Sequence, residues 1–276
     1  MNDRKARAAE LPVDKLRPFE GHPFQVKDDE EMDRLVYSVL TQGLVTPIVV
    51  RPLEGGEYEV ISGHRRLRAC QKAGIVTVPA LIYALDRDEA AIALVDSNLH
   101  RERILPSEKA FAYKLKMEAL SHQGTSGQLG QKWTRDEIAN AESGRQVQRY
   151  IRLTNLIPEI LGIVDEGKIA LTPAVALSYL TEEEQHNLLE TMESEDCSPS
   201  LSQAIRLKKL SQEGSLDMEK TQEILREPKA NQHEKISFRI DEIRKFFPKS
   251  YTPAKIQATI LKMLTDFQKR HQREAR

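Results

Sequence analysis

Strand-like runs are confined to the first hundred residues and one later segment, and this uneven distribution most constrains the fold. The early runs are PIVV (47–50), YEVI (58–61) and VPALI (78–82), and helical patterns over 28–43 and 87–98 alternate with them. Together they predict a compact mixed α/β unit. From residue 107 to residue 212 only helical patterns follow. We therefore expect an α+β chain with a small mixed α/β N-terminal domain and an all-α domain after it.

One further strand-like run, KISFRI (235–240), precedes two helical patterns. A single strand cannot pair its own edge groups, so we expect it to pair with a second copy of the chain. The alternative is a helical hairpin that packs on its own chain. The predicted organisation is a flexible basic tail over 1–10, an α/β domain over 11–99, a helical domain over 100–210, a polar linker with one helical patch over 211–234 and a strand-helix-helix dimerisation unit over 235–276.

Charge is balanced overall but segregated along the chain. The 276 residues include 41 Lys or Arg and 42 Asp or Glu, yet residues 100–155 hold ten bases against six acids, and residues 231–276 eleven against five. Each basic region can contact an anionic partner or form an ordinary solvated helix face. No window approaches 18 apolar residues, and Cys70 and Cys197 lie far apart. We expect a cytoplasmic protein without a membrane span or a structural zinc.

The stretch ISGHRRLRAC (61–70) places cations at the start of a predicted helix. Ser62 and Gly63 follow the strand, and His64, Arg65 and Arg66 open the helix. Free backbone N–H groups and the helix dipole favour an anion at such a start, and arginine adds forked hydrogen bonds. The spacing matches neither GxxxxGK[ST] nor GxGxxG. We expect a phosphate site here, and the alternative is a basic helix face in solvent.

A second polar cluster, DSNLHRERILPSEKA, spans residues 96–110. Asn98 and Arg101 are about one helical turn apart and can face one target. Ser107 follows a proline at a predicted helix start. Taken alone, the cluster is equally consistent with a simple joint between helices.

Residues 133–156, WTRDEIANAESGRQVQRYIRLTNL, predict two short helices around a tight turn. Arg and Gln at the start of the second helix suit base edges in the major groove, and hydroxyl groups suit phosphates. The candidate DNA contacts are Thr134, Ser143, Arg145, Gln146, Gln148, Arg149 and Arg152. The alternative is a plain helical hairpin with polar faces in solvent.

Three stretches together resemble one family. TQGLVTPIVVR (41–51), ISGHRRLRA (61–69) and SNLHRERILPSEKA (97–110) are similar, in order and spacing, to three motifs of the N-terminal domain of the ParB family. The family's usual forms are GxxxPxxVR, GERRxRA and ENxQRxxLxPxEEA, and a helix-turn-helix follows them, as one is predicted here. The resemblance covers about residues 11–210.

The resemblance implies a partition protein that binds a centromere-like DNA site, binds CTP with Mg²⁺ and closes around DNA as a sliding clamp. By position, it implies nucleotide contacts at Gly43, Thr46, Ser62, Gly63, His64, Arg65, Arg66, Asn98 and Arg101, with Asn98 also at the metal. It further implies a homodimer, a ParA-type ATPase as partner, a nucleoid location and slow CTP hydrolysis.

Two positions depart from the family pattern. His64 stands where the family has glutamate, and Ser97 stands where it has an acid linked to magnesium and hydrolysis. Asp96 is adjacent but points about 100° away on a helix. We therefore expect nucleotide binding rather than efficient turnover. One other function stays open, a transcriptional regulator or nucleoid-associated protein without a segregation role. An enzyme that resembles sulfiredoxin or free-serine kinases is a third alternative, but Cys70 lies some seven residues into the predicted helix rather than beside the phosphate loop, and such enzymes have no need of a helix-turn-helix.

Overall fold

The computed structural model describes residues 6–101, 103–122, 143–227, 243–248 and 250–274. The chain forms two compact units, Met1–Glu227 and Pro228–Arg276. Over the described ranges, no helix combines the length and the apolar character that a membrane crossing requires.

Five short strands of the first unit form one mixed sheet. They are β1 (Arg7–Pro12), β2 (Leu16–Pro18), β3 (Ile48–Pro52), β4 (Tyr58–Ser62) and β5 (Thr77–Ile82), in the spatial order β1-β5-β3-β4-β2. The central strand β3 is antiparallel to β4 and parallel to β5. Its Ile48 and Val50 are fully buried, because a central strand has neighbours on both edges and core on its face. The three strands predicted in the first hundred residues are confirmed.

Three helices complete the α/β part: α1 (Glu30–Gln42), α2 (His64–Lys72) and α3 (Arg87–Asn98). The carboxylate of Asp29 accepts a hydrogen bond from the N–H of Met32 at 2.9 Å and so caps α1. Asp86 and Glu89 form a capping box at the start of α3, which satisfies N–H groups that the helix leaves free. Gly43 ends α1 with φ of 70°, a conformation that glycine adopts without strain.

The described residues after α3 in the first unit form helices and the connections between them, without a strand. The helices are α4 (Pro106–His122), α5 (Gly144–Arg152), α6 (Pro158–Asp165), α7 (Leu171–Leu177), α8 (Glu182–Ser194), α9 (Leu201–Gln212) and α10 (Met218–Arg226). Their apolar side chains share one large core, in which Leu153, Ile160, Leu177, Leu188 and Leu207 are fully buried. The predicted all-α region is thereby confirmed.

Two predicted segments contain regular structure: a strand in the tail that the sequence does not predict, and a helix in the linker where the sequence predicts a helical patch. The predicted tail over 1–10 overlaps β1, which pairs with β5 from Arg7 onward, so the tail prediction is wrong for residues 7–10. The predicted linker over 211–234 contains α10. That helix forms because Ile224 and Leu225 reach the helical core, although most of the segment is polar.

The second unit contains α11 (Pro253–Glu274), which confirms the predicted helix over 253–270. Ile256 is buried, whereas Phe246, Leu261, Met263 and Leu264 are exposed. The predicted strand over 235–240 lies outside the described residues, so dimerisation through this unit stays a prediction.

Candidate functional site

Gly63 forms the junction between β4 and α2. Its φ of 102° is left-handed, and no side chain caps the helix that it begins. A Cβ at this position would lie 3.2 Å from Nη2 of Arg66, so both the backbone and its neighbour favour glycine. The first N–H groups of α2 therefore have no side-chain acceptor among the described residues, which is the arrangement that binds anions at helix starts.

Arg66 turns toward the protein. Its Nη1 donates to the carbonyl oxygens of Thr46 at 2.7 Å and Pro47 at 2.8 Å. Burial lowers the pKa of this guanidinium. Arg66 thus holds the chain that enters β3 against the start of α2, and it brings the predicted nucleoside contact Thr46 to the same place. Arg66 therefore positions the entry to β3, and its contact with a nucleotide stays a prediction.

Arg65 and Arg68 face the acidic start of α1. Nη2 of Arg65 lies 3.1 Å from Oδ1 of Asp29 and 3.4 Å from Oε2 of Glu31, and Nη2 of Arg68 lies 2.7 Å from Oδ2 of Asp28. Partly exposed pairs of this kind contribute about 0–1 kcal/mol each. Since Arg65 stands in the first turn of α2, it can exchange these weak partners for an anion at the uncapped N–H groups. Arg68 instead joins α2 to α1.

His64 stacks on His22 beside the start of α2. The ring centroids lie 3.7 Å apart, and the N–H of Phe19 donates to Nε2 of His64 at 3.4 Å. Burial lowers the pKa of His64 to about 3, and the charges of His22 and Arg101 add to the shift. Burial also lowers the pKa of His22. Neutral imidazole therefore occupies the position of the family's glutamate, and no negative charge weakens the anion site there.

His22, Phe24, His64 and the start of α2 form a group that we call the cluster, and Arg101 supplies a second cation near it. Its guanidinium carbon lies 5.6 Å from the centroid of the Phe24 ring, and it makes no ion pair with any residue that the structure describes. Burial chiefly lowers the pKa of Arg101, the nearby carboxylate of Glu108 opposes this shift, and the charge of Arg65 adds to it. Asn98 is buried, and its Nδ2 donates to the carbonyl of Leu94 at 2.7 Å. The cluster thus offers cations and backbone donors, which fit the phosphates of a nucleotide.

The acids near this cluster already have partners. Oδ1 of Asp96 accepts from Nζ of the buried Lys116 at 2.6 Å, and Glu108 accepts from two backbone N–H groups at 2.8 and 3.0 Å. The hydroxyl of Ser97 donates to a backbone carbonyl. No three His, Cys, Asp or Glu side chains of the described residues group as a metal site. These residues do not fit a magnesium site built by protein carboxylates, and Asn98 as a metal ligand stays a prediction.

The remaining predicted nucleotide contacts flank the cluster. Ser62 is the last residue of β4 and directly precedes Gly63. The N–H of Gly43 donates to the carbonyl of Val39 and closes α1, three residues before Thr46. The structure therefore brings the motifs over 41–51 and 61–69 together at one end of the sheet, and the nucleotide-contacting roles themselves stay predictions.

Helix α5 carries the predicted DNA contacts. Oγ of Ser143 caps it by accepting from the N–H of Gln146 at 3.3 Å, and the fully buried Val147 anchors it. Arg145, Arg149 and Arg152 recur at intervals of four and three residues and therefore share one face. Arg145 is exposed.

The protein itself orients two of these arginines. Arg149 donates to Oε1 of Gln146 at 3.0 Å and to Oγ1 of Thr172 at 2.6 Å. Arg152 donates to the carbonyl of Ser178 at 3.1 Å. Holding Arg149 between a glutamine and a threonine pre-orients a guanidinium for bidentate recognition.

Gln148 follows Arg145 by three residues and precedes Arg152 by four, so it lies beside this face. Its Nε2 lies 3.7 Å from Sδ of Met117 on α4, so the side chain is directed toward α4, and its contact with DNA stays a prediction. Thr134 and the predicted helix over 134–141 lie outside the described residues.

The sequence motifs do not identify His22 and Phe24, which nevertheless belong to the cluster. Both lie between β2 and α1, about forty residues from α2 along the chain. The sequence signal is a His-Pro-Phe run after Gly21, in a chain where Phe, Trp and Tyr make up 5% of the residues.

The fold and site define a class of protein: a small mixed α/β domain with a glycine-led, cationic helix start, joined to a helical region with an arginine-faced helix. Residues 2–99 match the family model of the ParB N-terminal domain. These N-terminal residues therefore belong to the ParB N-terminal domain family, as the sequence motifs predict.

Two curated relatives carry different functional names. A nucleoid occlusion protein of Listeria innocua is 36% identical over 191 residues, which cover 68% of this chain and 63% of that protein. A probable chromosome-partitioning protein ParB of Coxiella burnetii is 33% identical over 181 residues, which cover 64% of this chain and 58% of that protein. The chain thus spans less than two thirds of the length of either relative.

Two solved structures of the C-terminally truncated chromosome-partitioning protein ParB from Caulobacter crescentus are also similar. The complex with CTP-gamma-S is 28% identical and covers 62% of this chain and 92% of that chain, with a TM-score of 0.33. The complex with the centromeric parS site is 25% identical and covers 79% of this chain and 98% of that chain, with a TM-score of 0.42.

Proposed function

We propose that the chain is a ParB-like partition protein that binds a centromere-like DNA site and closes around DNA as a CTP-dependent clamp. The observation that carries the proposal is the start of α2. There the left-handed Gly63, the uncapped N–H groups and the cations Arg65 and Arg101 suit a triphosphate. Membership of residues 2–99 in the ParB N-terminal domain family and the name of the Coxiella relative support the same function.

In this proposal the N–H groups of α2 bind the phosphates. Arg65 leaves Asp29 and Glu31 and donates to a phosphate, and Arg101 approaches from its place over Phe24. The neutral His64 adds no negative charge to the site. CTP, when bound, supplies the polyanion that these groups neutralise.

We do not extend the proposal to efficient hydrolysis. Asp96 is paired with Lys116, and Ser97 has no carboxylate with which to hold a metal or orient water. Magnesium would therefore depend on the phosphates for most of its ligands, as it often does at nucleotide sites.

Arg65→Ala tests the nucleotide site by calorimetric titration with CTP. We expect the affinity to fall about tenfold or more, since a hydrogen bond to a charged group contributes about 1.5–3 kcal/mol. Arg68→Ala is the matched control, because Arg68 is an arginine of the same helix that pairs with Asp28 and should leave the affinity unchanged. Equal losses in both variants would reject the assignment, as would a wild-type chain that does not bind CTP.

Clamp closure can be tested by cross-linking after the wild-type chain has selected its duplex from a random library. Cysteines introduced near the N-terminal domain should cross-link two copies in higher yield when CTP and the selected duplex are both present. A yield that no nucleotide changes would favour a static DNA-binding protein. The homodimer and a ParA-type ATPase partner belong to the same proposal.

The second candidate is a nucleoid-associated DNA-binding protein or transcriptional regulator without a segregation role. The name of the Listeria relative favours it. A plasmid that carries the selected duplex distinguishes the two, because a partition protein with its ATPase should reduce plasmid loss and a regulator should not.

A further inference from the structure

Tyr179, directly after α7, contacts two cationic side chains. Its own side chain is exposed, Cζ of Arg152 lies 3.9 Å from its ring centroid, and Nζ of Lys208 lies 3.5 Å from the same point. Arg152 comes from α5 and Lys208 from α9. This trio, which we call the Tyr179 cluster, therefore joins three elements that are distant in sequence, and cation–π attraction holds both charges at the ring.

The charges of the Tyr179 cluster are not neutralised by acids of the described residues. On α9, Arg206 and Lys209 each lie beside a glutamate. Lys208 stands between them in sequence but makes no ion pair with a described residue. Arg152 donates only to a carbonyl, and its Nε is buried with no hydrogen-bond partner among the described residues. The Tyr179 cluster therefore carries net positive charge, whereas the other cations of α9 are paired with glutamates.

The Tyr179 cluster continues the arginine face of α5. Arg152 follows Arg145 by seven residues, which places it on nearly the same face and about 10 Å further along the axis. The major groove of duplex DNA is about 12 Å wide. If the start of α5 enters the groove, its other end reaches the phosphates that border the groove, and Lys208 meets Arg152 at that end.

We propose that Arg152, Tyr179 and Lys208 form a second DNA-contacting surface, which binds the phosphate backbone beside the groove that α5 reads. The inference rests on the proposed DNA binding and adds a sequence-independent contact to it. The ring holds the two cations before DNA arrives, so less side-chain freedom is lost on binding.

The test measures DNA affinity at a series of salt concentrations, with the full chain and the duplex that the wild-type chain selects. Lys208→Ala should reduce the slope of log affinity against log salt by about 0.9, the value for one phosphate contact. Lys208→Arg should keep the wild-type slope. Lys209→Ala is the matched control, because it removes the next lysine of the same helix, which lies 3.8 Å from Glu213, and it should leave the slope unchanged.

A wild-type slope in Lys208→Ala overturns the inference, and so does an equal reduction in Lys208→Ala and Lys209→Ala, which would indicate a general charge effect. Neither result affects the proposed function, which Arg145→Ala tests separately through loss of sequence preference. A wild-type chain that selects no duplex refutes the DNA-binding function and the inference with it.

Discussion

Acid should destabilise the α/β domain through His64, and the size of the effect follows from the burial of its ring. The pKa of His64 is about 3 in the folded chain, against an ordinary value of 6.5. Because the folded value is the lower one, the unfolded chain binds the proton first as the pH falls. The stability that the neutral ring contributes is therefore complete above pH 6.5 and is lost progressively toward pH 3. At about pH 4.5 the loss amounts to about 2–3 kcal/mol, since one pKa unit corresponds to about 1.4 kcal/mol.

The assay is urea unfolding of the full chain, followed by circular dichroism between about pH 7 and pH 4.5. Other groups also titrate, so the informative quantity is the difference between the wild-type chain and His64→Gln, which should lose about 2–3 kcal/mol less. His186→Gln removes an exposed histidine of α8 and should behave as the wild type does. Parallel losses in the wild-type chain and His64→Gln would refute the idea that the fold keeps this ring neutral.

Three further perturbations test the contacts around the two candidate sites. Asp96→Ala should cost about 3 kcal/mol because it leaves the buried ammonium of Lys116 unpaired, whereas Lys116→Met should cost about 1 kcal/mol or less; equal costs in urea unfolding would contradict this account. Gly63→Ala should cost about 1–3 kcal/mol, since its φ of 102° strains a residue with a Cβ and that Cβ meets Arg66; an unchanged midpoint of thermal unfolding would count against it. Arg149→Ala should weaken binding to the selected duplex by about 1–3 kcal/mol if it reads a base, and changing that base should abolish the difference.

Elements with local signals could be predicted from the sequence. Helix α3 runs over Arg87–Asn98, as predicted, because Asp86 and Glu89 mark its start within four residues. Gly43 and Gly63 likewise mark junctions that need positive φ. In each case the residues that determine the structure are neighbours in the chain, so a short window contains the whole physical cause.

Contacts between distant residues could not be predicted in this way. Burial beside His22 keeps the ring of His64 neutral. Because His22 lies about forty residues earlier in the sequence, no short window of sequence contains this cause. From sequence alone, Arg66 cannot be distinguished from a cation in solvent. The carbonyls of Thr46 and Pro47 that accept its hydrogen bonds lie about twenty residues away in the chain. Lys208 has no sequence motif at all, and only the packing of α9 beside Tyr179 distinguishes it from its neighbours.

The place of β1 affects how the N-terminus can be dissected. β1 is an edge strand whose backbone pairs with β5 alone, from Arg7↔Ile82 to Pro12↔Thr77. Deleting the first ten residues to look for a partner ATPase would also remove the outer part of the sheet and leave the backbone groups of β5 open to unspecific pairing. A segregation defect in such a truncation would therefore not identify a docking peptide. Truncation before Arg7, or charge reversal at Arg4, separates a lost partner from a damaged sheet.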